Sequence, residues 1–161
     1  MRVSRKKPGV VSVLGIPPVV GLVIRELPEL LARDRPPAVE KRLFPDPSDD
    51  PEVAAEWRRA QHPELFALLA DARGIVERDL VSLLPGSERG TLRLDIPAAH
   101  LNAWISALNT ARLVLGTLHE VTAADLDPDN APAHDERGAA IVRIDLYSWL
   151  QGTLLGAGDG V

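Results

Sequence analysis

Leu101-Asn102-Ala103-Trp104-Ile105-Ser106-Ala107-Leu108-Asn109-Thr110-Ala111-Arg112-Leu113-Val114-Leu115-Gly116 carries the clearest periodic pattern in the chain. Leu101, Trp104, Ile105, Leu108, Ala111, Leu115 and, just beyond, Leu118 recur at three- and four-residue steps. That is the period of an α-helix with one face on a core. Asn102, Asn109 and Arg112 stand at the edges of this stripe. Gly116 is unusual in such a place, because glycine inside a helix costs about 1 kcal/mol relative to alanine. It predicts either a close helix crossing or the start of the helix end.

A strand-then-helix pattern occurs twice in the chain. Residues 9–14 are β-rich and lead through Ile16-Pro17 into an apolar stretch at 19–31, and residues 91–94 alternate and lead through Ile96-Pro97 into the long helix. Proline suits a first helical turn, where its missing N–H would have no partner anyway, so Pro17 or Pro18 and Pro97 read as helix starts. A two-stranded sheet, 10–14 against 91–95, is expected. So short a pair must pack on helices to be stable.

Between the copies, residues 33–50 are rich in proline and charge and read as a surface connection in which Leu43-Phe44-Pro45 docks as an anchor. Asp50 caps a helix with Pro51 in its first turn. That helix is expected to stop at His62-Pro63, since proline restricts the residue before it. A second helix then carries Leu65, Phe66, Leu69, Ala72, Val76, Leu80 and Leu83, and residues 85–90 turn into the second strand. A final helix over 139–155 presents Ile141, Ile144, Leu146, Tyr147, Leu150 and Leu154. The fold expected is mainly α: a single-domain bundle of about four to five helices with a small two-stranded β-sheet. One domain spans 1–161, with a basic flexible arm at 1–8, a proline-rich connection at 34–49, an acidic loop at 120–138 and a flexible tail at 156–161.

A chain of 161 residues, 45% hydrophobic, suffices for one core that buries about 70% of the unfolded surface. The net charge of -5 argues against a broad phosphate-binding face, which needs a basic patch. The absence of cysteine removes disulfides, thiolate ligands and thiol switching from these residues and fits a reducing, cytoplasmic setting. Arg2, Arg5, Lys6 and Lys7 ahead of the apolar run 10–24 resemble a secretion signal. Pro17-Pro18 interrupts that run, however, and no small-x-small site follows it. The run is also shorter than the ~20 residues of a membrane span. A strand and a helix are expected there, with no membrane association. The basic arm either touches nucleic-acid phosphates or is simply solvated, which leaves direct nucleic-acid binding open.

Ala103-Trp104, Leu108-Asn109, Arg112-Leu113 and Leu115-Gly116, with the late Tyr147-Ser148-Trp149-Leu150-Gln151, resemble the actinobacterial AosR family of oxidative-stress transcriptional regulators. Leu43-Phe44-Pro45, Asp50-Pro51-Glu52 and Ala55-Glu56-Trp57-Arg58 resemble its middle segment, and the N-terminal third is similar in outline. The resemblance makes Trp104, Leu108, Leu115, Gly116, Tyr147, Trp149 and Leu150 the family-motif core. It implies a helical cytoplasmic protein, not an enzyme and without cofactors, influencing transcription through a sigma factor or RNA polymerase. The family's redox control is attributed to a cysteine pair absent here, so that property does not carry over. Genes of the family often lie beside that of the ClpS adaptor, so a proteostasis adaptor contacting ClpS or Clp components is the alternative. A homodimer and an enzyme with a dispersed site also stay open.

Asn102, Asn109 and Arg112 have two readings. They form a partner-binding row, Arg112 offering a bidentate fork to a carboxylate. Alternatively they are structural, Arg112 pairing with an internal acid such as Asp79 or Asp145 and Asn109 satisfying buried backbone groups. Asp125, Asp127, Asp129 and Glu136 occupy positions 1, 3, 5 and 12 of a calcium-loop pattern. Asn130 replaces the usual glycine and Pro128 and Pro132 disturb it, so a solvated acidic loop is the competing reading. His62, His100, His119 and His134 lack metal-pair spacing, and Gly86-Ser87-Glu88-Arg89-Gly90 has serine at the wrong offset for a nucleophile elbow.

Overall fold

The computed structural model describes residues 1–5, 7–32, 35–127 and 129–158. Its sheet is antiparallel and four-stranded, in the order β1 (Arg2–Ser4), β2 (Val10–Ile16), β4 (Leu92–Pro97) and β3 (Leu84–Pro85). The expected pair is its centre, with Val11 opposite Ile96 and Val13 opposite Leu94. Two short edge strands that the sequence did not betray flank it. One of them occupies the expected flexible arm: Arg2, Val3 and Ser4 face Leu14, Val13 and Ser12. Backbone pairing to an exposed sheet edge orders these residues although their composition is that of a solvated tail. Lys6 lies outside the described residues.

Alternation along β2 sends Val11 and Val13 to the core, and the period of two would send Gly15 after them. Instead the register shifts between Val13 and Ile16, where Gly15 takes a φ of 68°. An extra residue in a left-handed conformation makes a bulge, and glycine adopts it without steric cost. The bulge re-phases the strand so that Ile16 is fully buried.

The helices are α1 (Pro18–Arg25), α2 (Leu27–Ala32), α3 (Pro37–Leu43), α4 (Pro51–Asp79), α5 (Leu101–Leu118) and α6 (Glu136–Gly158). Helix α3 falls within the expected proline-rich connection, with Pro37 in its first turn. Arg33 and Asp34 lie outside the described residues. The Asp50 carboxylate caps α4, accepting from the N–H of Glu52 at 2.9 Å. The expected break at Pro63 does not occur: α4 runs through it for 29 residues. Proline removes one hydrogen bond from a helix, and Pro63 and Arg59, whose carbonyl is released, both lie on an exposed stretch. Phe44 is the expected anchor, buried against His62 and Phe66 with ring centroids 5.3 and 4.8 Å away.

The core lies where α5 meets α6, α4 and the inner sheet face. It is built on Trp104, Leu108, Tyr147, Leu150, Leu154, Leu94 and Ile96. The α5 stripe is shifted from the one expected. Ala107, Thr110 and Val114 are buried, whereas Leu118 is 41% exposed. The acidic loop holds a 3-10 turn at Ala123–Leu126, and α6 begins inside it at Glu136. The expected flexible tail is helical as far as Gly158, and residues 159–161 lie outside the described residues, as does Pro128.

Candidate functional site

The final turns of α5 are held in place by a backbone motif. The N–H of Val121 donates to the Gly116 carbonyl at 2.9 Å, and that of Glu120 to Thr117 at 3.4 Å. Glu120 sits between them with a φ of 50°. This is the Schellman arrangement, with a glutamate where glycine is usual. Gly116 is therefore the start of the helix end. No close crossing explains it, because a Cβ there would meet nothing within 4 Å.

Arg137 on α6 ties this end down. Its guanidinium donates to the carbonyls of His119 and Glu120 and, at 2.7 Å, to the carboxylate of Asp125. Asp125 also accepts from the hydroxyl and the N–H of Thr122. Those two bonds first, and then Arg137, hold its carboxyl below the usual carboxylate range. The residues of the calcium-loop pattern fall into separate local arrangements. Asp125 is committed to Thr122 and Arg137, Asp127 accepts from the N–H of Asp129, and Glu136 lies in the first turn of α6. No group of three or more His, Asp or Glu residues that could hold a metal ion occurs among the described residues.

Above this anchored end a cleft of about 370 Å³ opens between α3, α5 and α6. Asn109, Arg112 and Gly116 line it with Arg42 of α3, over an apolar floor that includes Leu113, Val121 and Ile144. Asn102, two turns earlier on α5, is exposed and stands apart from it. The structure thus brings together two members of the expected polar row. Arg42 joins them, a residue that sequence reasoning missed because only the docking of α3 on α5 places it there.

The internal partner of Arg112 differs from both acids expected. Its Nη1 donates to Oε1 of Gln151 at 2.6 Å. Asp79 is committed elsewhere: it accepts from the Trp104 indole N–H at 2.9 Å and lies 3.0 Å from Nδ1 of His100. Asp145 is exposed on α6. The Arg112 Nε is sealed from solvent and has no hydrogen-bond partner. Asn109 is exposed and does not serve buried backbone groups.

Of the motif residues, Trp104, Leu108, Leu115, Tyr147 and Leu150 are buried, and the Tyr147 hydroxyl donates to the Val23 carbonyl at 3.2 Å. Burial pushes that phenol up to about 12. Trp149 is 39% exposed. On a helix whose buried positions are 140, 141, 144, 147, 150, 154 and 157, it lies roughly 160° from their mean direction, on the opposite face.

Fold and site together define a mainly helical domain with a small antiparallel sheet and, among its surface clefts, one that bears the guanidinium groups of Arg42 and Arg112. The family described as Domain of unknown function (DUF2017) matches residues 15–158, and the chain belongs to that family. It is similar to the putative oxidative stress regulator AosR of Mycobacterium leprae, 32% identical over 124 residues that cover 68% of this chain and 52% of that protein. The oxidative stress regulators AosR of Mycobacterium bovis and Mycobacterium tuberculosis are 27% identical over 124 residues, 68% of this chain and 51% of theirs. These names bear out the AosR resemblance read from α5 and α6. The chain spans about half the length of the curated relatives it matches. No solved structure matches it. Among the described residues no helix is long and apolar enough to cross a membrane.

Proposed function

We propose that this chain is a non-enzymatic regulatory domain of the AosR type. It acts on transcription through protein–protein contacts with the transcription machinery, a sigma factor or RNA polymerase. The observation that carries the reading is the cleft in which Asn109, Arg112 and Arg42 converge over apolar residues. Convergent arginines beside an apolar floor are the composition of a protein-recognition site rather than of a nucleophile and its base. The names of the related mycobacterial proteins support regulation in response to oxidative stress. Thiol sensing is not part of the proposal, because these 161 residues contain no cysteine.

The test is crosslinked affinity purification of the tagged protein from its native host, read by mass spectrometry. Enrichment of RNA polymerase subunits or a sigma factor is expected. Enrichment of ClpS or Clp protease components without them would replace regulation of transcription by an adaptor role.

A further inference from the structure

We infer that the cleft between α3, α5 and α6 receives an acidic, aliphatic segment of the partner protein, with an aspartate or glutamate against Arg42 and Arg112 and its apolar neighbour on the cleft floor. The inference rests on the partner-binding reading above and names the chemistry of the partner.

The positive charge in this cleft is left uncompensated. The chain has more acids than bases, 23 against 18, yet no carboxylate lines this cleft among the described residues. None of the ion pairs among those residues involves Arg42 or Arg112. Arg112 spends one donor on the neutral Gln151 and keeps a buried, unpartnered Nε. A half-buried guanidinium lacking a counter-charge pays for its desolvation without the return a carboxylate gives, and its planar fork matches a carboxylate in two bonds. Arg42 and Asn109 lie exposed beside it, so a segment can approach from solvent without the helices parting. Leu113, Val121, Leu126 and Ile144 add an apolar surface that inorganic anions would not use. An extended segment pairing an acid with an aliphatic residue satisfies both halves at once.

The probe is a displayed library of random dodecapeptides selected on the wild-type chain. Enriched peptides are expected to place Asp or Glu next to Leu, Ile or Val. Their affinity, measured by fluorescence anisotropy, should weaken as salt rises and fall by about tenfold or more in Arg42→Glu. Arg89→Glu, a charge reversal in the turn before β4, should bind as wild type does. Arg42 is exposed, so the variant's unchanged melting temperature would show that the fold is intact. Arg112→Lys keeps the charge, loses the fork and should bind with intermediate affinity.

Enrichment of peptides without acids, no enrichment at all, or equal binding by Arg42→Glu would each overturn the inference. Stabilisation by succinate with no peptide enriched would also overturn it, in favour of a small organic acid. If the inference fails while RNA polymerase or a sigma factor still co-purifies with wild type, the regulatory reading stands. Absence of that co-purification is the separate signature of the regulatory reading's own failure.

Discussion

The indole N–H of Trp104 donates to Oδ2 of Asp79 at 2.9 Å, joining a fully buried side chain in the first turn of α5 to the last residue of α4. The same carboxylate lies 3.0 Å from Nδ1 of His100, so one buried acid satisfies two donors on the chain that enters α5. Removing one partner of a buried hydrogen bond costs more than the bond itself contributes, because the group left behind stays desolvated. Asp79→Ala should therefore lower stability by about 2–3 kcal/mol, measured by urea unfolding. A loss below about 0.5 kcal/mol would show that water reaches the indole.

Glu120 holds a left-handed conformation that costs a residue with a Cβ roughly 1 kcal/mol and glycine nothing. Its contribution to the Arg137 tie is its backbone carbonyl, which glycine keeps. Glu120→Gly should raise stability by about 0.5–1 kcal/mol in the same assay, and Glu120→Val should lower it.

Two helical glycines make opposite predictions. At Gly138 an added Cβ would run into the backbone carbonyl of Ala133, so Gly138→Ala must displace main chain and should cost about 1–3 kcal/mol. At Gly116 the space is open, and alanine should stabilise the helix by up to about 1 kcal/mol. Melting temperatures of the two variants should move in opposite directions.

Tyr147 sets an alkaline limit. Its phenol is pushed from 10 up to about 12 in the folded chain, chiefly by burial. Between those values the unfolded chain releases a proton that the folded chain keeps, so stability is full below about pH 10 and falls as pH rises towards 12. The two-unit shift corresponds to about 2–3 kcal/mol at most. Tyr147→Phe should lose about 1 kcal/mol at neutral pH, through the bond to Val23, and show a flatter profile between pH 10 and 12. Equal alkaline slopes in the two proteins would contradict this assignment.

What was legible in the sequence is what local chemistry controls. The paired strands, the Asp50 cap, the long helix and the late helix followed from period and capping, and Phe44 was recognisable as an anchor. Pro63 misled because its usual effect is to end a helix, yet on an exposed stretch one lost bond is tolerated. The edge strands escaped notice because three residues or two carry no periodicity, and their order comes from the neighbour they pair with.

The candidate site divides along the same line. Asn109 and Arg112 were recognisable because amides and a guanidinium on an amphipathic helix break its pattern. Arg42 lies in a proline-rich segment 70 residues earlier, with no local signal linking it to them.

The helical character, the central strand pair and the family were set by residue order alone, since they depend on a few turns of chain or on direct similarity. The pairing of Arg112 with Gln151, the service of Asp79 to Trp104 and His100, and the bond of Asp125 to Arg137 came from the three-dimensional packing alone. Those outcomes depend on which side chains the packing of α3, α4, α5 and α6 brings within hydrogen-bond reach. Short-range polar pairing across distant segments leaves no periodic trace in the chain.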